Sequence, residues 1–334
     1  MSVSENSFDE LIYFENKIVN SSWPLITVIT PFFNNSNLME TVYSVLEQDY
    51  PNIEYIIADD CSKINHSKSL LLQGLLETLN LTNFLSIRVQ RQRNNVGTVK
   101  NLNDAIKQSK GKYIFILSAD DLFYNKHVLK EWTQFLISEK ALISTAKRLI
   151  CKINKKNMQC IRPLRKEISN MTNLNPSELY LTLKYDNYIS GCCTAYSKKC
   201  FEQYGYFDES YKLLEDHPMI LHLLKQHVKI AFWDKIAIYY MTGGVSAQEN
   251  INEVFEQDVE TLLKHEACYN GDDISKIINA HRKEKQKTIQ FYQYWNQKKF
   301  LKASRCDMQK TVKEILKPVR SILVKGYIRL QRAK

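Results

Sequence analysis

Two pairs of adjacent aspartates constrain this chain most, because each pair follows a short apolar run. Asp59 and Asp60 end one such run, and Asp120 and Asp121 end a second one about sixty residues later. Apolar runs of this length, bounded by turn-forming residues, are typical of buried strands in a parallel sheet. Both pairs would then lie at the carboxyl ends of strands, where ligands bind in open α/β sheets. Four carboxylates gathered there would repel one another unless a cation lay between them, and a divalent metal carrying a diphosphate ligand would meet that need.

The order of elements over the first 121 residues predicts an α/β protein. Strand-like segments lie at residues 25–30, 53–58, 85–89 and 113–117, and helical periodicity lies at residues 38–47, 67–79 and 98–108. Three strand–helix units followed by a strand predict a mainly parallel sheet with helices on both faces.

The pattern is less regular after the second aspartate pair. It predicts helices at residues 127–138, 176–183 and 214–225, strands at residues 141–150, 193–196, 228–232 and 236–240, and a polar loop at residues 152–175. Further helical periodicity lies at residues 251–265, 274–295, 300–316 and 319–330. We therefore expect three parts: a polar leader at residues 1–22, an α/β domain at 23–246 and a helical region at 247–334.

Six segments in order resemble family 2 glycosyltransferases. They are residues 24–34 (PLITVITPFFN), 43–62 (YSVLEQDYPNIEYIIADDCS), 95–97 (NVG), 100–101 (KN), 111–121 (GKYIFILSADD) and 214–216 (LED). The resemblance covers residues 24–246. It implies the GT-A nucleotide-diphospho-sugar transferase fold, which has a Rossmann-like, mainly parallel sheet flanked by helices, here with a helical region after it. It also implies sugar transfer from a nucleotide sugar, most commonly a UDP-sugar.

The expected donor site follows from this resemblance. Residues 31–33 would line the base pocket, and Asp60 would face the uracil. The residues that we assign to the donor nucleotide are Pro31, Phe32, Phe33, Asp59, Asp60, Lys100, Asn101 and Asp120. Chemistry alone leaves alternatives open, because the first aspartate pair could instead cap a turn and Lys100, which stands where the family usually has arginine, could be a solvated helix lysine.

A divalent metal, Mn²⁺ or Mg²⁺, is the expected cofactor. A metal on the donor diphosphate needs hard oxygen ligands, and the resemblance assigns that role to Asp121. Ser118 stands where the family usually has its first aspartate. The alternative is that the two aspartates only stabilise a turn before the next helix.

Asp216 is the expected catalytic base. A carboxylate within hydrogen-bond reach helps a weakly acidic sugar hydroxyl to attack, and in the family the aspartate of the Glu-Asp motif takes that proton. One base without a second carboxylate nucleophile favours single displacement with inversion. Gly191, Cys192 and Glu215 would lie on the acceptor side. The alternative for Asp216 is an acid at the start of a helix that interacts with the helix macrodipole. The segment that begins at Tyr240 resembles a family motif that often begins Tyr-Arg, and Met241 stands in place of that arginine.

The positive charge of the chain is concentrated near its end. The net charge is +10 overall, whereas residues 275–334 carry 17 Lys or Arg and three acids. Apolar residues at helical spacing between positions 312 and 330 could lie in an anionic membrane interface or pack on the catalytic domain. Nucleic-acid binding is not expected, since no recognition motif accompanies the charge.

Location and cysteine usage complete the expectations. There is no secretory signal and no apolar run long enough to span a bilayer, so we expect a cytoplasmic enzyme at the inner face of the membrane. The acceptor would be a saccharide, lipid-linked and destined for a surface polysaccharide such as O-antigen or capsule. The eight cysteines lack zinc-ligand spacing and are expected to be reduced.

Two other functions remain open at this point. A sugar-1-phosphate nucleotidyltransferase shares the sheet and the metal chemistry, but it would normally begin with a glycine-rich phosphate loop, which residues 30–34 lack. A protein that binds a nucleotide sugar without turning it over is the second alternative. The departures at Ser118, Lys100 and Met241 keep that alternative open.

Overall fold

The structure is a computed structural model that describes residues 8–16, 22–35, 37–63, 81–151, 158–241 and 252–296, with side chains considered except at 158–159 and 288–296. The helices expected at residues 67–79, 300–316 and 319–330 lie outside the described residues. Most of the other expected elements are present close to their expected bounds.

Ten strands are described. They are β1 (Phe8–Glu15), β2 (Ile26–Phe32), β3 (Ile53–Asp59), β4 (Phe84–Gln92), β5 (Tyr113–Ile116), β6 (Leu122–Phe123), β7 (Ile143–Cys151), β8 (Met158–Arg162), β9 (Thr194–Ser197) and β10 (Ile230–Met241).

Nine α-helices are described, together with a 3-10 turn at Gly191–Cys193. The helices are α1 (Leu38–Leu46), α2 (Thr98–Gln108), α3 (Val128–Ser138), α4 (Arg165–Asn173), α5 (Pro176–Leu183), α6 (Lys198–Tyr204), α7 (Asp216–Lys225), α8 (Glu253–Asn270) and α9 (Ile274–Asn296).

The strands form one mixed sheet in the order β1-β4-β3-β2-β5-β9-β7-β10-β6, with β8 beside β7. The four strands β4, β3, β2 and β5 are parallel to their neighbours within this group. The ladders β1–β4, β5–β9, β7–β9 and β6–β10 are antiparallel. The α/β class is confirmed, and the sheet is mixed, with four adjacent parallel strands at β4, β3, β2 and β5.

The core lies around the parallel strands. Every residue of β3 is buried, which explains its mainly apolar sequence. Ile29 of β2 lies beside Ile56 of β3 and Ile116 of β5. Helix α2 buries Val99 and Leu102 on its apolar face. Because these strands are parallel and in this register, their carboxyl ends meet at one edge of the sheet.

A glycine at the opposite edge fixes where β5 begins. A Cβ at Gly111 would lie 2.4 Å from the backbone nitrogen of Thr27, so no other residue fits without displacing the backbone. The N–H of Gly111 donates to Oγ1 of Thr27 at 3.0 Å. The start of β5 therefore touches the start of β2 directly.

A buried ion pair joins the neighbouring strands β3 and β4. Nη1 of Arg88 is 3.1 Å from Oε1 of Glu54, and both side chains are buried. The other oxygen of Glu54 accepts hydrogen bonds from Thr27 Oγ1 at 2.5 Å and from the backbone N–H of Lys110 at 2.7 Å. This network connects β2, β3, β4 and the segment that leads into β5.

Three parts of the chain differ from the sequence prediction. The polar leader contributes β1, an edge strand whose Glu10 pairs with Arg88 of β4 and whose Asp9 pairs with Arg93, the residue after β4. The expected loop at 152–175 contains β8 and α4. The two strands expected at 228–232 and 236–240 form one strand, β10, because Asp234 and Lys235 are exposed residues within it and not a turn.

The chain divides into two compact units. The first takes in the described residues of 1–148, 163–183 and 187–239, and it contains all the candidate site residues. The second takes in those of 149–162, 184–186 and 240–334. Within the second unit, Arg282 of α9 binds Glu260 of α8 through two hydrogen bonds of 2.6 and 2.7 Å. Among the described helices, none is sufficiently long and apolar to cross a membrane.

Candidate active site

Both aspartate pairs lie at the carboxyl edge of the parallel strands. The N–H of Asp60 donates to the carbonyl oxygen of Phe32 at 2.8 Å, which joins the ends of β2 and β3. After β5, the N–H of Asp121 donates to the carbonyl oxygen of Ser118 at 2.9 Å in a tight turn. Thr41 Oγ1 of α1 donates to the carbonyl oxygen of Asp121 at 2.9 Å, so helix α1 supports this turn.

Asp60 fastens the loop before α2 to the end of β3. Its carboxylate accepts hydrogen bonds from the backbone N–H groups of Val96 at 2.7 Å and Gly97 at 2.9 Å. Burial raises the pKa of Asp60, and these two hydrogen bonds oppose the rise. The charge of Lys212 also lowers the pKa of Asp60. Asp60 thus orders the loop that leads into α2.

Asp59 makes the contacts of a turn-capping acid. Its Oδ1 accepts from the backbone N–H of Ser62 at 2.8 Å, and its Oδ2 accepts from Nη1 of Arg91 at 2.6 Å. Both carboxylate oxygens therefore already bind protein groups. This arrangement favours the alternative considered from sequence, in which Asp59 stabilises the turn after β3.

Lys100 and Asn101 lie on the first turn of α2. Nζ of Lys100 is 3.1 Å from Oδ1 of Asp104, and the lysine side chain is 37% exposed. Asn101 is buried, and its Nδ2 donates to the carbonyl oxygen of Ala58 at 2.7 Å. Asn101 therefore holds α2 against the end of β3, whereas Lys100 keeps a charge near solvent.

The segment after β2 presents an exposed aromatic ring at the rim. Phe33 is 50% exposed, whereas Pro31 and Phe32 are partly buried. The next residue, Asn34, accepts a hydrogen bond through its Oδ1 from the N–H of Lys63 at 2.9 Å, and its own N–H donates to Ser62 Oγ at 2.8 Å. The two loops that follow β2 and β3 are therefore joined beside the exposed ring.

The second aspartate pair offers hard oxygen ligands. Asp121 is 1% exposed, and Asp120 is partly buried with a pKa that burial raises. Within the described ranges, no group of three His, Cys, Asp or Glu side chains could hold a metal ion. The two carboxylates nevertheless suit Mn²⁺ or Mg²⁺, because these ions commonly complete their coordination with oxygens of a bound diphosphate and with water.

Asp216 begins helix α7 close to the loop before β9. Its Oδ2 accepts from the backbone N–H of Gly191 at 2.8 Å, and its Oδ1 accepts from the N–H of His217 at 2.6 Å. A Cβ at Gly191 would lie 2.7 Å from Oε1 of Glu215 and 3.1 Å from Cβ of Asp216. The sequence prediction that these three residues share one site is consistent with this geometry.

The two acids of this motif differ in their protonation. Burial raises the pKa of Glu215 to about 8, and the charge of Asp216 adds to the rise. Burial also raises the pKa of Asp216, whereas His217, the N–H of Gly191 and Arg148 lower it. At neutral pH, Glu215 is therefore mostly protonated, and Asp216, whose two carboxylate oxygens accept backbone N–H groups, is the acid positioned to act as a base.

Cys192 lies beside these acids as a buried thiol. Its Sγ is 3.2 Å from Ser190 Oγ. Burial raises the pKa of Cys192 well above its ordinary value, with a further contribution from Asp121. The thiol is therefore neutral and acts as a small apolar wall of the site.

Sequence reasoning missed three residues around Asp216. Arg148 of β7 lowers the pKa of Asp216, and two adjacent basic residues, Lys147 and Arg148, within an otherwise uncharged strand are the signal that could have identified it. Tyr196 of β9 is fully buried, and the charges of Asp216 and Glu215 raise its pKa after the larger effect of burial. His217 has no sequence signal beyond its place after the acidic pair.

Comparison with known proteins gives a family match. The model of Glycosyl transferase family 2 matches residues 27–205, more than half of the 334 residues. An uncharacterized glycosyltransferase of Rickettsia bellii is 30% identical over 223 residues, which cover 66% of this chain and 30% of that protein.

Other relatives are named for work on surface polymers. TuaG of Bacillus subtilis, named for teichuronic acid biosynthesis, is 32% identical over 126 residues, which cover 37% of this chain and 47% of that protein. The poly(ribitol-phosphate) β-N-acetylglucosaminyltransferase TarS of Staphylococcus aureus is 25% identical over 275 residues, which cover 76% of this chain and 44% of TarS. The chain spans about a third to somewhat over half of the length of the first curated relatives that it matches.

Solved structures show the same fold. TarS residues 1–349 with UDP-GlcNAc superpose with a TM-score of 0.52 at 20% identity, covering 73% of this chain and 66% of that one. The mannosyltransferase PcManGT of Pyrobaculum calidifontis, with GDP-Man and Mn²⁺, gives a TM-score of 0.52 at 16% identity and covers 75% of this chain and 65% of that one.

Proposed function

This chain belongs to glycosyl transferase family 2 and has the GT-A fold, and from that premise we propose that it transfers one sugar, with inversion, from a nucleotide sugar to a hydroxyl of a saccharide acceptor. The carrying observation is the carboxylate of Asp216, held by two backbone N–H groups beside a protonated Glu215. A single ionised carboxylate at this position suits a general base.

The donor binds at the ends of β2 and β3 in this proposal. Asp60 and the Val96–Gly97 loop form one wall, and the exposed ring of Phe33 offers a face for a base. Lys100 supplies positive charge near the nucleotide. A UDP-sugar is the proposed donor, supported by the complexes of TarS with UDP-GlcNAc and with UDP.

Asp121 would hold the divalent metal, with Asp120 near the ribose or the phosphates of the donor. When bound, the metal neutralises negative charge that develops on the departing diphosphate. The support is the chemistry of the two carboxylates at the end of β5 and the Mn²⁺ complex of the mannosyltransferase that shares this fold. Thr41 and Ser118 fix the backbone that carries these side chains.

Asp216 accepts the proton of the attacking hydroxyl. Its raised pKa makes it a stronger base than an exposed aspartate, and the N–H groups of Gly191 and His217 orient it. Glu215, with a pKa of about 8, is neutral at pH 7 and can donate a hydrogen bond to a sugar hydroxyl. With Asp216 as the base and no described carboxylate assigned as a nucleophile, the proposed displacement occurs in one step and inverts the anomeric centre.

The acceptor is a lipid-linked saccharide in surface polysaccharide synthesis in this proposal. The names of TuaG and TarS support the polymer class.

The basic segment at residues 311–334, which lies outside the described residues, would bind the anionic inner face of the cytoplasmic membrane. Sedimentation with vesicles rich in phosphatidylglycerol tests this point, because a chain ending at residue 310 should remain in solution; equal sedimentation of both chains would contradict membrane binding by this segment.

A donor panel tests the transferase proposal. The purified protein is given UDP- and GDP-sugars with Mn²⁺ and candidate saccharide acceptors, and the anomeric configuration of the product is determined by NMR. Asp216→Asn should lose about 100- to 10,000-fold in kcat while UDP affinity is kept. Asp121→Asn should lose metal-dependent donor turnover.

Glu202→Gln, an exposed change on α6, serves as the matched control and should behave like the unaltered protein. A product with retained configuration, or full activity of Asp216→Asn, would overturn the mechanism. If the protein bound nucleotide sugars but transferred sugar to none of the acceptors, the result would support the non-catalytic alternative.

A further inference from the structure

The orientation of Asp216 depends on how two separate segments meet. One of its hydrogen-bond donors, Gly191, precedes β9, and the other, His217, is the second residue of α7. Both donors are backbone N–H groups, so neither can adjust by changing a rotamer. The carboxylate keeps both contacts only while the start of α7 stays at its present place beside Gly191.

The side chain of His217 attaches the start of α7 to another helix. It is 7% exposed, and its Nε2 lies 2.7 Å from the carbonyl oxygen of Leu183, the last residue of α5. A carbonyl oxygen only accepts hydrogen bonds, so Nε2 carries the proton. Carbonyl groups in the last turn of a helix lack helical partners and bear partial negative charge, which makes this oxygen a good acceptor.

We infer that His217 is a positioning residue for the base: its imidazole anchors the first turn of α7 to the last turn of α5 and thereby keeps the Asp216 carboxylate on the N–H of Gly191. The inference rests on the proposed role of Asp216. It adds a specific residue, outside the donor and metal groups, that acts on transfer by positioning the base.

Packing alone does not explain this contact. Helices α5 and α7 bury apolar residues against the core, among them Leu179, Leu183, Ile220 and Leu224. Apolar burial is non-directional, so it holds the helices together but leaves small shifts and rotations inexpensive. A hydrogen bond is directional and fixes one alignment. Displacing a reacting group by about 1 Å can cost 100-fold in rate, so a small shift of α7 would matter.

The same helix supplies a matched control. Nε2 of His222 lies 3.1 Å from the carbonyl oxygen of Tyr204, so His222 also contacts a backbone carbonyl from α7. His222 is exposed and makes none of the contacts to Asp216. His217→Leu and His222→Leu therefore each remove one imidazole–carbonyl contact from α7. Only the contact removed by His217→Leu lies next to Asp216.

Transfer kinetics test the inference on the full chain. His217→Leu should lower kcat roughly 10- to 100-fold with little change in the KM of the nucleotide sugar, and His222→Leu should leave both values unchanged. His217→Gln should recover most of the kcat, because the amide nitrogen of glutamine can reach the position of Nε2. His217→Asn, which is one carbon shorter, should not recover it. Equal kcat for His217→Leu and His222→Leu, or no difference between His217→Gln and His217→Asn, would overturn the inference.

Hydrogen exchange provides a second readout that does not need turnover. The N–H of Gly191 should exchange faster in His217→Leu and His217→Asn than in His222→Leu, because its acceptor is released. Unchanged exchange at Gly191 would overturn the positioning role even if the protein had no transferase activity. If the unaltered protein showed no transfer and the N–H of Gly191 still exchanged faster in His217→Asn, the proposed function would be rejected and the positioning contact would stand.

Discussion

The N–H of Gly191 and Oδ2 of Asp216 are joined by a hydrogen bond of 2.8 Å, although 25 positions separate the two residues in the chain. The contact needs a glycine for reasons of space. A Cβ at position 191 would lie 2.7 Å from Oε1 of Glu215 and 3.1 Å from Cβ of Asp216. Glutamate can move its carboxyl group, but the Cβ of Asp216 moves only with the backbone of α7.

Gly191→Ala should therefore damage transfer more than donor binding. The added methyl group pushes the start of α7 away and displaces the base, so kcat should fall about 100-fold while UDP affinity stays within roughly twofold. Steady-state kinetics and UDP titration measure the two effects. Ser190→Ala, at the neighbouring position and without added bulk, is the control. A wild-type kcat in Gly191→Ala would show that the base tolerates this displacement.

Stability should fall as pH rises from about 4.5 towards 8, because of Glu215. The pKa of this acid is raised from 4.5 to about 8 in the folded protein by burial first and by Asp216 second. Between these values the folded state binds more protons than the unfolded state, so deprotonation favours unfolding. The slope from one group is at most about 1.4 kcal/mol per pH unit.

Glu215→Gln removes that titration. Urea unfolding at pH 5.5 and at pH 7.5 gives the free energy of unfolding at each pH. This free energy should fall less between pH 5.5 and 7.5 for Glu215→Gln than for the unaltered protein. The amide of the introduced glutamine does not titrate, so the substitution adds no pH dependence of its own. The same pH dependence in both proteins would mean that Glu215 titrates near its ordinary value.

The ion pair of Glu54 and Arg88 should behave as a buried pair. Glu54→Leu leaves the Arg88 guanidinium buried without its carboxylate and removes the acceptor for Thr27 and Lys110, so a loss of about 3–5 kcal/mol is expected. The double variant Glu54→Leu, Arg88→Leu should recover part of that loss, because no unpaired charge remains. Chemical denaturation of the single and double variants measures both terms. A double variant no more stable than Glu54→Leu would contradict this account.

Two fully buried tyrosines form a matched pair for testing hydroxyl groups. Tyr55 shares a hydrogen bond of 3.1 Å with Thr30 Oγ1, whereas the hydroxyl of Tyr196 has no hydrogen-bond partner within the described part of the chain. Tyr55→Phe should cost about 1 kcal/mol, and Tyr196→Phe should be neutral or stabilising by a similar amount. Thermal unfolding compares the two. Equal destabilisation would indicate that Tyr196 has a partner, such as a bound water.

Elements with a continuous or strictly periodic apolar pattern could be predicted from the sequence. Helix α2 has the predicted bounds 98–108, because Gly97 precedes a regular apolar stripe, and β3 follows its apolar run to within one residue. Strand β1 could not be predicted, since it lies at a sheet edge and its acids Asp9 and Glu10 pair with Arg93 and Arg88. Edge strands bury little of either face and so carry little pattern.

Motifs in the sequence indicated where several candidate residues lie in the fold, whereas contacts made by packing had no such signal, and the roles of these residues stay predictions. Asp60, Asp121, Asp216 and Gly191 lie at the rim expected from their motifs. Asn101 was assigned to the donor, but its side chain holds β3, a contact that only the packing of α2 on the sheet reveals. His217 reaches a carbonyl 34 positions away in the chain, and no local pattern encodes such a partner.

The contact of Gly111 with Thr27 acts at a distance from the rim. It lies at the start of β5, and it stops that strand from sliding along β2. The Gly111–Thr27 contact therefore fixes the register of β5 against β2 at the edge of the sheet opposite the candidate site. Substitutions in the loops at the carboxyl ends of these strands would leave that register unchanged.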